Sequence, residues 1–418
     1  MRSRFLTGLW ANPDFVRLWA ATTTSTFGTL IGSLAMSFTA IVYLDASAAE
    51  VAVLGACQLV PGFLASPFAG VWVDRLKRRP IMIATDLGRA ISLFSVPIAA
   101  AFGVLTIGHL FIVAAVNSAL AVLFDAAYRS YLPTLVERRD LLEGNAKLSG
   151  TASVAEVASF SISGWLVQLL RAPGALAIDA ATFVASAVFV SRIQAPEPEL
   201  HNGGEEAHFW REAKAGARVV FGHGVLRTLA LTEALQTMAE RILVTVYLLR
   251  LNGELGFSPG ILGMIFAVGG LTSLFGAWLA NRGVLFFGGV GPTLVVAGFF
   301  RASGALFMPL VFDNSWLGVA FLVANQLVTD PFWTLYEIHD TSLRQSITPE
   351  RLQGRMFANF RLIGFGFALV GTAIGGVLGS VIGFRETLFI AVITMYASVA
   401  VLALSPVVRV KRADFTAA

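Results

Sequence analysis

Long apolar segments alternate with short polar segments along almost the entire chain. A helix needs about 20 predominantly apolar residues to cross a bilayer, and the alternating pattern of membrane β-strands is absent. We therefore predict twelve membrane-spanning helices, at residues 14–43, 48–73, 80–102, 107–133, 148–170, 174–193, 226–249, 259–280, 287–311, 316–339, 357–381 and 386–406. An all-α fold is expected because lipid cannot satisfy unpaired backbone groups.

The pattern turns polar near the middle of the chain. Residues 194–225 contain proline, glycine and charges of both signs, which is typical of a linker. We predict a six-helix bundle at 1–193, a cytoplasmic linker at 194–225 and a second six-helix bundle at 226–418.

Composition and charge agree with a membrane protein. Of the 418 residues, 56% are hydrophobic and 13% are charged, whereas a soluble domain has about 25% charged residues. The net charge of +4 does not indicate nucleic-acid binding, because the basic residues gather at the ends of alternate spans. Membrane proteins retain Lys and Arg on their cytoplasmic loops. We therefore expect a multi-pass protein of the plasma or inner membrane with both termini in the cytoplasm.

The two predicted bundles share an internal repeat. Residues of the first half recur in the second half in the same order, after 207 to 212 residues. The pairs are Gly70 and Ala277, Arg75 and Arg282, Arg89 and Arg301, Asn117 and Asn325, Phe124 and Phe332, and Tyr128 and Tyr336. Two related halves in parallel orientation are typical of transporters.

The hairpin between the second and third spans carries the pattern G-x-x-x-D-R-x-x-R-R, from Gly70 to Arg79. Together with the twelve-helix repeat, this pattern resembles the major facilitator superfamily, although Leu76 and Lys77 stand where other residues are usual. The resemblance implies two six-helix pseudo-repeats around a central cavity, which helices one, four, seven and ten would line.

Longer segments resemble a branch of exporters. The segments are LPTLVERRDLLEGNAKLSG, GWLVQ and IDAATFVASA in the first half, and LRQSITPERLQGRMFA and GGVLG in the second. They are similar to drug and siderophore exporters that include macrolide-efflux and enterobactin-export proteins. The resemblance implies efflux of amphipathic, drug-like small molecules by alternating access, coupled to inward movement of protons.

The charged hairpin is our candidate for a conformational latch. Its counterpart from Ala277 to Arg301 lacks the basic cluster, so contact with substrate is not indicated. The latch candidates are Gly70, Asp74, Arg75, Arg78, Arg79, Asp86 and Arg89. We expect Asp74, Asp86 and Arg89 to form a local network at the cytoplasmic face.

Acidic residues inside the spans are candidates for proton coupling, because an intramembrane charge costs about 2.5–3.5 kcal/mol at a helix centre. The candidates are Glu156, Glu233, Glu240, Asp330 and Asp125. Asp330 could instead cap backbone groups freed by Pro331, and Glu156 could make a single hydrogen bond to a nearby Ser or Thr. We interpret Asp179 as structural.

A third group is predicted to line or gate the cavity. It consists of Arg129, Arg241, Glu337, Phe332, Trp333 and Tyr336. The repeat places Glu337 opposite Arg129, which indicates either a salt bridge between the halves or snorkelling at the helix ends. The aromatic residues either offer stacking surface to a substrate or pack the core. The hydroxyl run Thr22–Thr26 could line the substrate path, or could simply bond its own backbone.

The sequence contains no P-loop, no Cys or His cluster with metal-ligand spacing and no G-x-S-x-G motif. We therefore predict no enzyme activity, no cofactor and no bound metal. The expected partners of the monomeric chain are a small-molecule substrate, protons and the lipid bilayer. Two alternatives stay open, namely export of siderophores or lipids, and a membrane receptor or scaffold that kept the fold without transport.

Overall fold

The computed structural model describes residues 8–137, 140–197 and 209–411. Its main helices are α1 (Pro13–Phe38), α2 (Ala48–Arg75), α3 (Arg78–Ala101), α4 (Ile107–Leu135), α5 (Leu141–Ser191), α6 (Phe209–Gly222), α7 (Gly224–Leu248), α8 (Pro259–Phe287), α9 (Val290–Ala305), α10 (Trp316–Ser346), α11 (Glu350–Val381) and α12 (Phe384–Ala403). Short π-helical segments follow α1 at Thr39–Tyr43 and α7 at Leu249–Glu254. They lie at matching places in the two halves, so they add a structural counterpart to the sequence repeat.

Polar caps set where several spanning helices begin. The Asn12 side chain accepts hydrogen bonds from the backbone N–H groups of Asp14 and Phe15, and Pro13 occupies the first turn of α1. Ser258 caps α8 in the same way, through the N–H group of its first turn. These side chains satisfy N–H groups that have no partner within the helix. The helices therefore begin where the polar connections end.

Each predicted span coincides with a helix, with one difference in detail. The fifth and sixth spans are two helices that share the label α5, and the chain leaves helical geometry between them at Arg171 (φ 60°, ψ 159°). The predicted linker at 194–225 contains a helix of its own, α6. The linker is therefore only partly irregular within its described residues.

Eight helical segments of the described chain are long and apolar enough to cross a membrane by length and composition. Helices α7 and α10 are not among them, and each carries four charged residues. Charges inside membrane helices pair with one another or with polar groups of neighbouring helices. Interhelical ion pairs are therefore expected on α7 and α10.

The chain divides into two compact units. Unit 1 contains Met1–Ala46 and Val53–Ala207, and unit 2 contains Ser47–Ala52 and His208–Ala418. Within unit 1, α5 packs against α1 and α3, and α3 also packs against α4. Within unit 2, α10 packs against α8 and α9, while α7 packs against α11 and α12.

Each unit has a hydrophobic core of its own. The core of unit 1 surrounds Phe15 and Tyr131, which are both fully buried. The core of unit 2 surrounds Leu229 and Tyr336.

Candidate functional site

Unit 1 contains a cavity of about 350 Å³, which we name the hydroxyl cavity. Its wall comes from α1, α3, α4 and α5 and consists of Thr22, Thr23, Ser25, Thr26, Thr29, Leu30, Arg89, Ala121, Phe124, Asp125, Tyr128, Asn145, Leu148 and Ala152. Hydroxyl and amide groups alternate there with apolar side chains. The volume lies in the range of small-molecule sites, about 300–1,000 Å³.

The hydroxyl groups of α1 are accommodated by bonds to their own helix. Thr22 Oγ1 donates to the carbonyl oxygen of Leu18 at 3.0 Å, and Ser25 Oγ donates to the carbonyl oxygen of Thr22 at 3.1 Å. Such bonds lower the cost of a hydroxyl group in an apolar environment. Trp19 Nε1 donates to Thr151 Oγ1 at 2.9 Å and ties α1 to α5. Within the predicted hydroxyl run, Thr22 and Ser25 thus bond to their own helix and also line the cavity.

Arg89 occupies the middle of α3 and is 7% exposed. Its Nη2 donates to Thr29 Oγ1 at 3.1 Å, and its guanidinium carbon lies 3.8 Å from the centroid of the Phe183 ring. Asp179 on α5 and Asp86, one turn earlier on α3, are its buried acidic neighbours. The guanidinium therefore connects α1, α3 and α5.

The carboxylate of Asp179 fills a notch in α1. Asp179 is 4% exposed, and a Cβ atom added at Gly28 would lie 2.6 Å from its Oδ1. A Cβ atom added at Gly32 would collide with its Oδ2. Small residues spaced in this way allow membrane helices to approach closely. The structure supports the packing role expected for Asp179 and adds proximity to Arg89.

Asp86 and Arg89 lie away from the charged hairpin with which we expected them to form a network. Asp86 is fully buried beside Ser186 of α5. Both residues lie in the interior of α3, because the helix runs on for more than two turns after the hairpin. They belong to the polar interior of unit 1.

The hairpin itself is tied to the end of unit 1. The backbone N–H groups of Arg78 and Arg79 donate to Oε2 and Oε1 of Glu197, at 2.5 and 3.1 Å. The Arg79 guanidinium also donates to the carbonyl oxygen of Ser191. The remaining latch candidates, Gly70, Asp74 and Arg75, lie outside the residues whose side chains are described.

In unit 2, α7 and α10 are joined by an ion-pair network centred on Arg344. Arg344 Nη2 donates to Glu233 Oε2 at 2.9 Å, and the same guanidinium pairs with Asp340, one turn earlier on α10. The guanidinium carbon lies 3.8 Å from the centroid of the Phe360 ring on α11. The sequence offers Glu233 no evident partner, which makes it a candidate for proton coupling. In the structure, Glu233 has a partner, Arg344.

A second network joins α7 to α9. Arg301 is 4% exposed, donates from Nη1 to Gln236 Oε1 at 2.6 Å, and pairs with Glu240. Arg301 is the repeat counterpart of Arg89, and each arginine contacts the first helix of its own half. The acid comes from α7 for Arg301, whereas Asp179 comes from α5 for Arg89. The arginine is thus present in both halves, but its acidic neighbour comes from a different helix in each half.

Asp330 fills a notch on α8 that is like the notch on α1. A Cβ atom added at Gly269 would collide with Asp330 Oδ2 and would lie 2.8 Å from Gln326 Nε2. Asp330 is half-buried in this position. In both units, a glycine therefore leaves space for a carboxylate to pack directly against a helix backbone.

The aromatic candidates on α10 differ in exposure. The Phe332 ring stacks on the Phe300 ring, with centroids 4.6 Å apart. Tyr336 is 2% exposed and belongs to the core of unit 2, whereas Trp333 is 40% exposed. Phe332 and Tyr336 thus pack the interior of the unit.

The other candidates are dispersed. Asp125 and Arg129 are exposed on α4, and Asp125 lines the hydroxyl cavity. Glu337 is exposed on α10, and Arg241 is half-buried on α7. The side chain of Glu156 lies outside the described residues. Across the described chain, no three His, Cys, Asp or Glu side chains come together as potential metal ligands.

Sequence reasoning missed Asp340 and Arg344, because the predicted tenth span ends at residue 339. Helix α10 continues to Ser346, and the spacing of four residues between the two charges was the available signal. It also missed Glu197, whose role depends on the fold of the chain back onto the hairpin.

The family model described as Major Facilitator Superfamily matches residues 18–336, which is more than half of the chain. The chain therefore belongs to the Major Facilitator Superfamily. It has the all-α fold of that family, with twelve membrane-spanning helices in two six-helix repeats. It is a multi-pass membrane transporter for a small-molecule substrate, and not an enzyme.

Two relatives of known sequence are themselves described as uncharacterized MFS-type transporters. YfiS of Bacillus subtilis (strain 168) is 24% identical over 379 residues, which cover 88% of this chain and 87% of YfiS. The protein y4rN of Sinorhizobium fredii (strain NBRC 101917 / NGR234) is 29% identical over 237 residues. That match covers 54% of this chain and spans 55% of the length of y4rN.

Solved structures of transporters share the fold. The crystal structure of the nucleoside transporter NupG has a TM-score of 0.70 and 14% identity, and the match covers 94% of this chain and 99% of NupG. A bacterial homologue of the iron transporter ferroportin, in an inward-facing state, has a TM-score of 0.70 and 16% identity, with 93% and 98% covered. At these identities the likeness concerns the fold.

Proposed function

We propose that the protein exports amphipathic, drug-like small molecules across the plasma or inner membrane by alternating access, as an antiporter driven by protons. The observation that carries this proposal is the lining of the hydroxyl cavity, where hydroxyl groups of α1 face apolar residues of α4 and α5. A substrate with one polar and one apolar side would satisfy both kinds of wall.

The single carboxylate of Asp125 gives the cavity a preference among such substrates. Asp125 of α4 and Arg89 of α3 both line the cavity. A substrate that carries an amine could approach Asp125, while its acceptors could face Arg89 and Tyr128. We therefore expect zwitterionic amphipathic compounds, which can meet both side chains, to bind better than compounds with a charge of one sign.

The proposal can be tested with inverted membrane vesicles that contain the full chain and a pH-sensitive dye. Vesicles are energised with a proton gradient, and each compound of a broad amphipathic panel is added. A substrate should discharge part of the gradient in vesicles with the protein and not in vesicles without it. Siderophores and lipids belong in the panel, because a response to them and to no drug-like compound would favour the corresponding alternative.

The repeat offers a matched pair of variants for this assay. Tyr128 lines the hydroxyl cavity, whereas its counterpart Tyr336 is buried in the core of unit 2. Loss of one hydrogen bond costs about 0.5–1.5 kcal/mol, so Tyr128→Phe should raise the KM of a hydroxyl-binding substrate by about two- to tenfold. Tyr336→Phe should leave KM unchanged. Equal effects of the two variants, or no proton flux with any compound, would count against the proposal.

A further inference from the structure

Unit 1 contains another cavity, of about 670 Å³, which we name the basic groove. One wall comes from Lys77 and the first turns of α3, and the other wall is the segment 194–197 that follows α5. The wall on the α3 side consists of Lys77, Arg79, Pro80, Ile83, Ala84 and Leu87. The basic groove shares no lining residue with the hydroxyl cavity, so it is a site of its own.

The polar end of the basic groove carries two bases whose N–H groups are largely unused. Lys77 precedes the first turn of α3 in an extended conformation (φ −61°, ψ 133°) and its side chain is exposed. Its ammonium group makes no hydrogen bond or ion pair within the described residues. The Arg79 guanidinium donates to the carbonyl oxygen of Ser191, and its other N–H groups remain available to a ligand.

The one acid of the basic groove is engaged by the backbone of α3. Both carboxylate oxygens of Glu197 accept hydrogen bonds from the backbone N–H groups of Arg78 and Arg79. These N–H groups belong to the first turn of α3 and have no partner within the helix, and a helix N-terminus carries partial positive charge. The helix end therefore balances the Glu197 carboxylate, and the side chains of Lys77 and Arg79 leave the groove with an excess of positive charge.

An apolar stripe leads from these bases along α3. Pro80, Ile83, Ala84 and Leu87 line the groove, and they follow the three- and four-residue spacing that places side chains on one face of a helix. Ile91 continues the stripe by one turn; Leu87 is 41% exposed and Ile91 is 72% exposed. A ligand of the groove thus meets positive charge at one end and an exposed apolar helix face at the other.

The basic groove lies where a membrane presents its lipid headgroups. Helix α3 is apolar enough to span a membrane, and this span begins at Arg78. By the positive-inside rule, the hairpin before it is expected at the cytoplasmic face. The cytoplasmic leaflet carries anionic lipids, and basic pockets on this side of membrane proteins bind their headgroups. Lys77 stands where the hairpin pattern usually has another residue, so this base is a feature of the present chain.

We propose that the basic groove binds an anionic phospholipid of the cytoplasmic leaflet. The lipid phosphate lies at Lys77 and Arg79, and an acyl chain runs along Ile83 and Leu87. The volume of the groove suits a headgroup, and the exposed stripe receives the chain that leaves it. Because the groove has α3 on one side and the segment 194–197 on the other, the lipid holds the start of the linker against α3. This site does not depend on the proposed substrate.

The test measures lipid binding to the purified full chain in detergent by native mass spectrometry. Dioleoyl phosphatidylglycerol and dioleoyl phosphatidylcholine are added stepwise, because they have the same acyl chains and differ in headgroup charge. The Kd of the first bound lipid is measured for each. Glycerophosphoglycerol, which is the phosphatidylglycerol headgroup without acyl chains, is then added as a competitor, to distinguish a lipid site from a site for soluble phosphate compounds.

We expect the wild type to bind phosphatidylglycerol about tenfold or more tightly than phosphatidylcholine, because two bases face its phosphate. Lys77→Gln should weaken phosphatidylglycerol binding about fivefold and leave phosphatidylcholine binding unchanged, whereas Lys77→Arg should retain the preference. Arg227→Gln is the matched control, because it removes the same charge from an exposed position outside the groove. This control should bind both lipids as the wild type does.

Three results would overturn the proposal. The first is an equal Kd of the two lipids in the wild type. The second is an equal effect of Lys77→Gln and Arg227→Gln, because net charge would then explain the preference. The third is displacement of phosphatidylglycerol by an equal concentration of glycerophosphoglycerol, which would indicate a site for soluble phosphates.

A second variant tests the groove without a change of charge. Ala84 is exposed on the groove wall, so Ala84→Trp fills the space between the bases and the apolar stripe. This variant should lose the preference for phosphatidylglycerol. If Lys77→Gln does not fold, Ala84→Trp decides, because an undiminished preference in that variant would overturn the assignment of the lipid to the groove.

Discussion

Buried arginines organise the polar interior of both units at the scale of single residues. Arg89, Arg301 and Arg344 are each less than 10% exposed, and each meets an acid or a hydroxyl group from another helix. A guanidinium group stays protonated in proteins. The neighbouring helices must therefore supply acceptors, which explains why acidic residues recur at these positions despite their cost in a membrane.

Removal of Arg344 should destabilise unit 2 strongly. Arg344→Gln leaves Glu233 and Asp340 without their shared counter-charge, and breaking a buried pair costs about 3–5 kcal/mol. We expect a clear fall in the apparent Tm of the purified protein in detergent. Arg282→Gln is the matched control, because Arg282 is exposed beside the Trp278 ring and surface changes stay within about 0.5 kcal/mol.

Equal Tm values for the two variants would contradict this assignment. A second measurement distinguishes charge from packing. The double variant Arg344→Gln with Asp340→Asn removes the guanidinium together with the most buried of its acids. The double variant should be more stable than Arg344→Gln alone, because Asp340→Asn removes one of the two carboxylates that Arg344→Gln leaves without a counter-charge.

The sequence predicts which residues are unusual but not which ones meet. The repeat identifies Arg89 and Arg301 as equivalent, and both are buried in the structure. Their partners cannot be predicted in the same way, because Thr29 is 60 residues away from Arg89 along the chain. Glu233 shows the same limit: its partner Arg344 lies 111 residues away, beyond the end of the predicted tenth span.

Glycines set how closely two helices approach at the scale of elements. Gly28 and Gly32 of α1 leave space for Thr182 and Asp179 of α5, and α1 and α5 form a large part of the packing of unit 1. Gly269 of α8 does the same for α10. Contact between membrane helices relies on close packing of small residues, because lipid is as apolar as the side chains.

Alanine at Gly32 should therefore destabilise the protein. The added Cβ atom would meet the Asp179 carboxylate, and overpacking typically costs about 1–3 kcal/mol. Gly366→Ala is the control, since no atom lies within 4 Å of a Cβ atom added there, and alanine is favoured over glycine in helices by about 0.5–1 kcal/mol. We expect a lower apparent Tm for Gly32→Ala and an unchanged or higher one for Gly366→Ala. A lower apparent Tm for both variants would indicate that the contact between residue 32 and Asp179 is not the cause of the destabilisation.

Elements were easier to predict than their ends. Apolar length, which the bilayer imposes, accounts for most of the spans, whereas α7 and α10 carry four charged residues each and are not among the eight segments that are apolar enough by composition. The break between the two helices of α5 depends on the backbone of one residue, Arg171, and apolar length does not give the position of that residue. Helix α6 was hidden inside a polar segment, because a helix with only one apolar face contains many polar residues and differs from a loop only in their periodicity.

The distribution of charge predicts an orientation at the scale of the whole molecule. The connection around His223 is flanked by Arg218 and Arg227, whereas the connection between α9 and α10 carries Asp313 and no basic residue from Val311 to Ser315. By the positive-inside rule, the first connection is expected in the cytoplasm and the second outside. This expected orientation can be tested directly.

The single cysteine makes that test simple. Cys57 is the one cysteine of the chain, so Cys57→Ser provides a background free of thiols. On that background, His223→Cys and Asn314→Cys place one thiol in each connection, at positions that are exposed. A membrane-impermeant maleimide added to intact cells should label Asn314→Cys, and should label His223→Cys only after the membrane is permeabilised. The reverse pattern would place the basic connections outside, against the rule on which the proposed orientation depends.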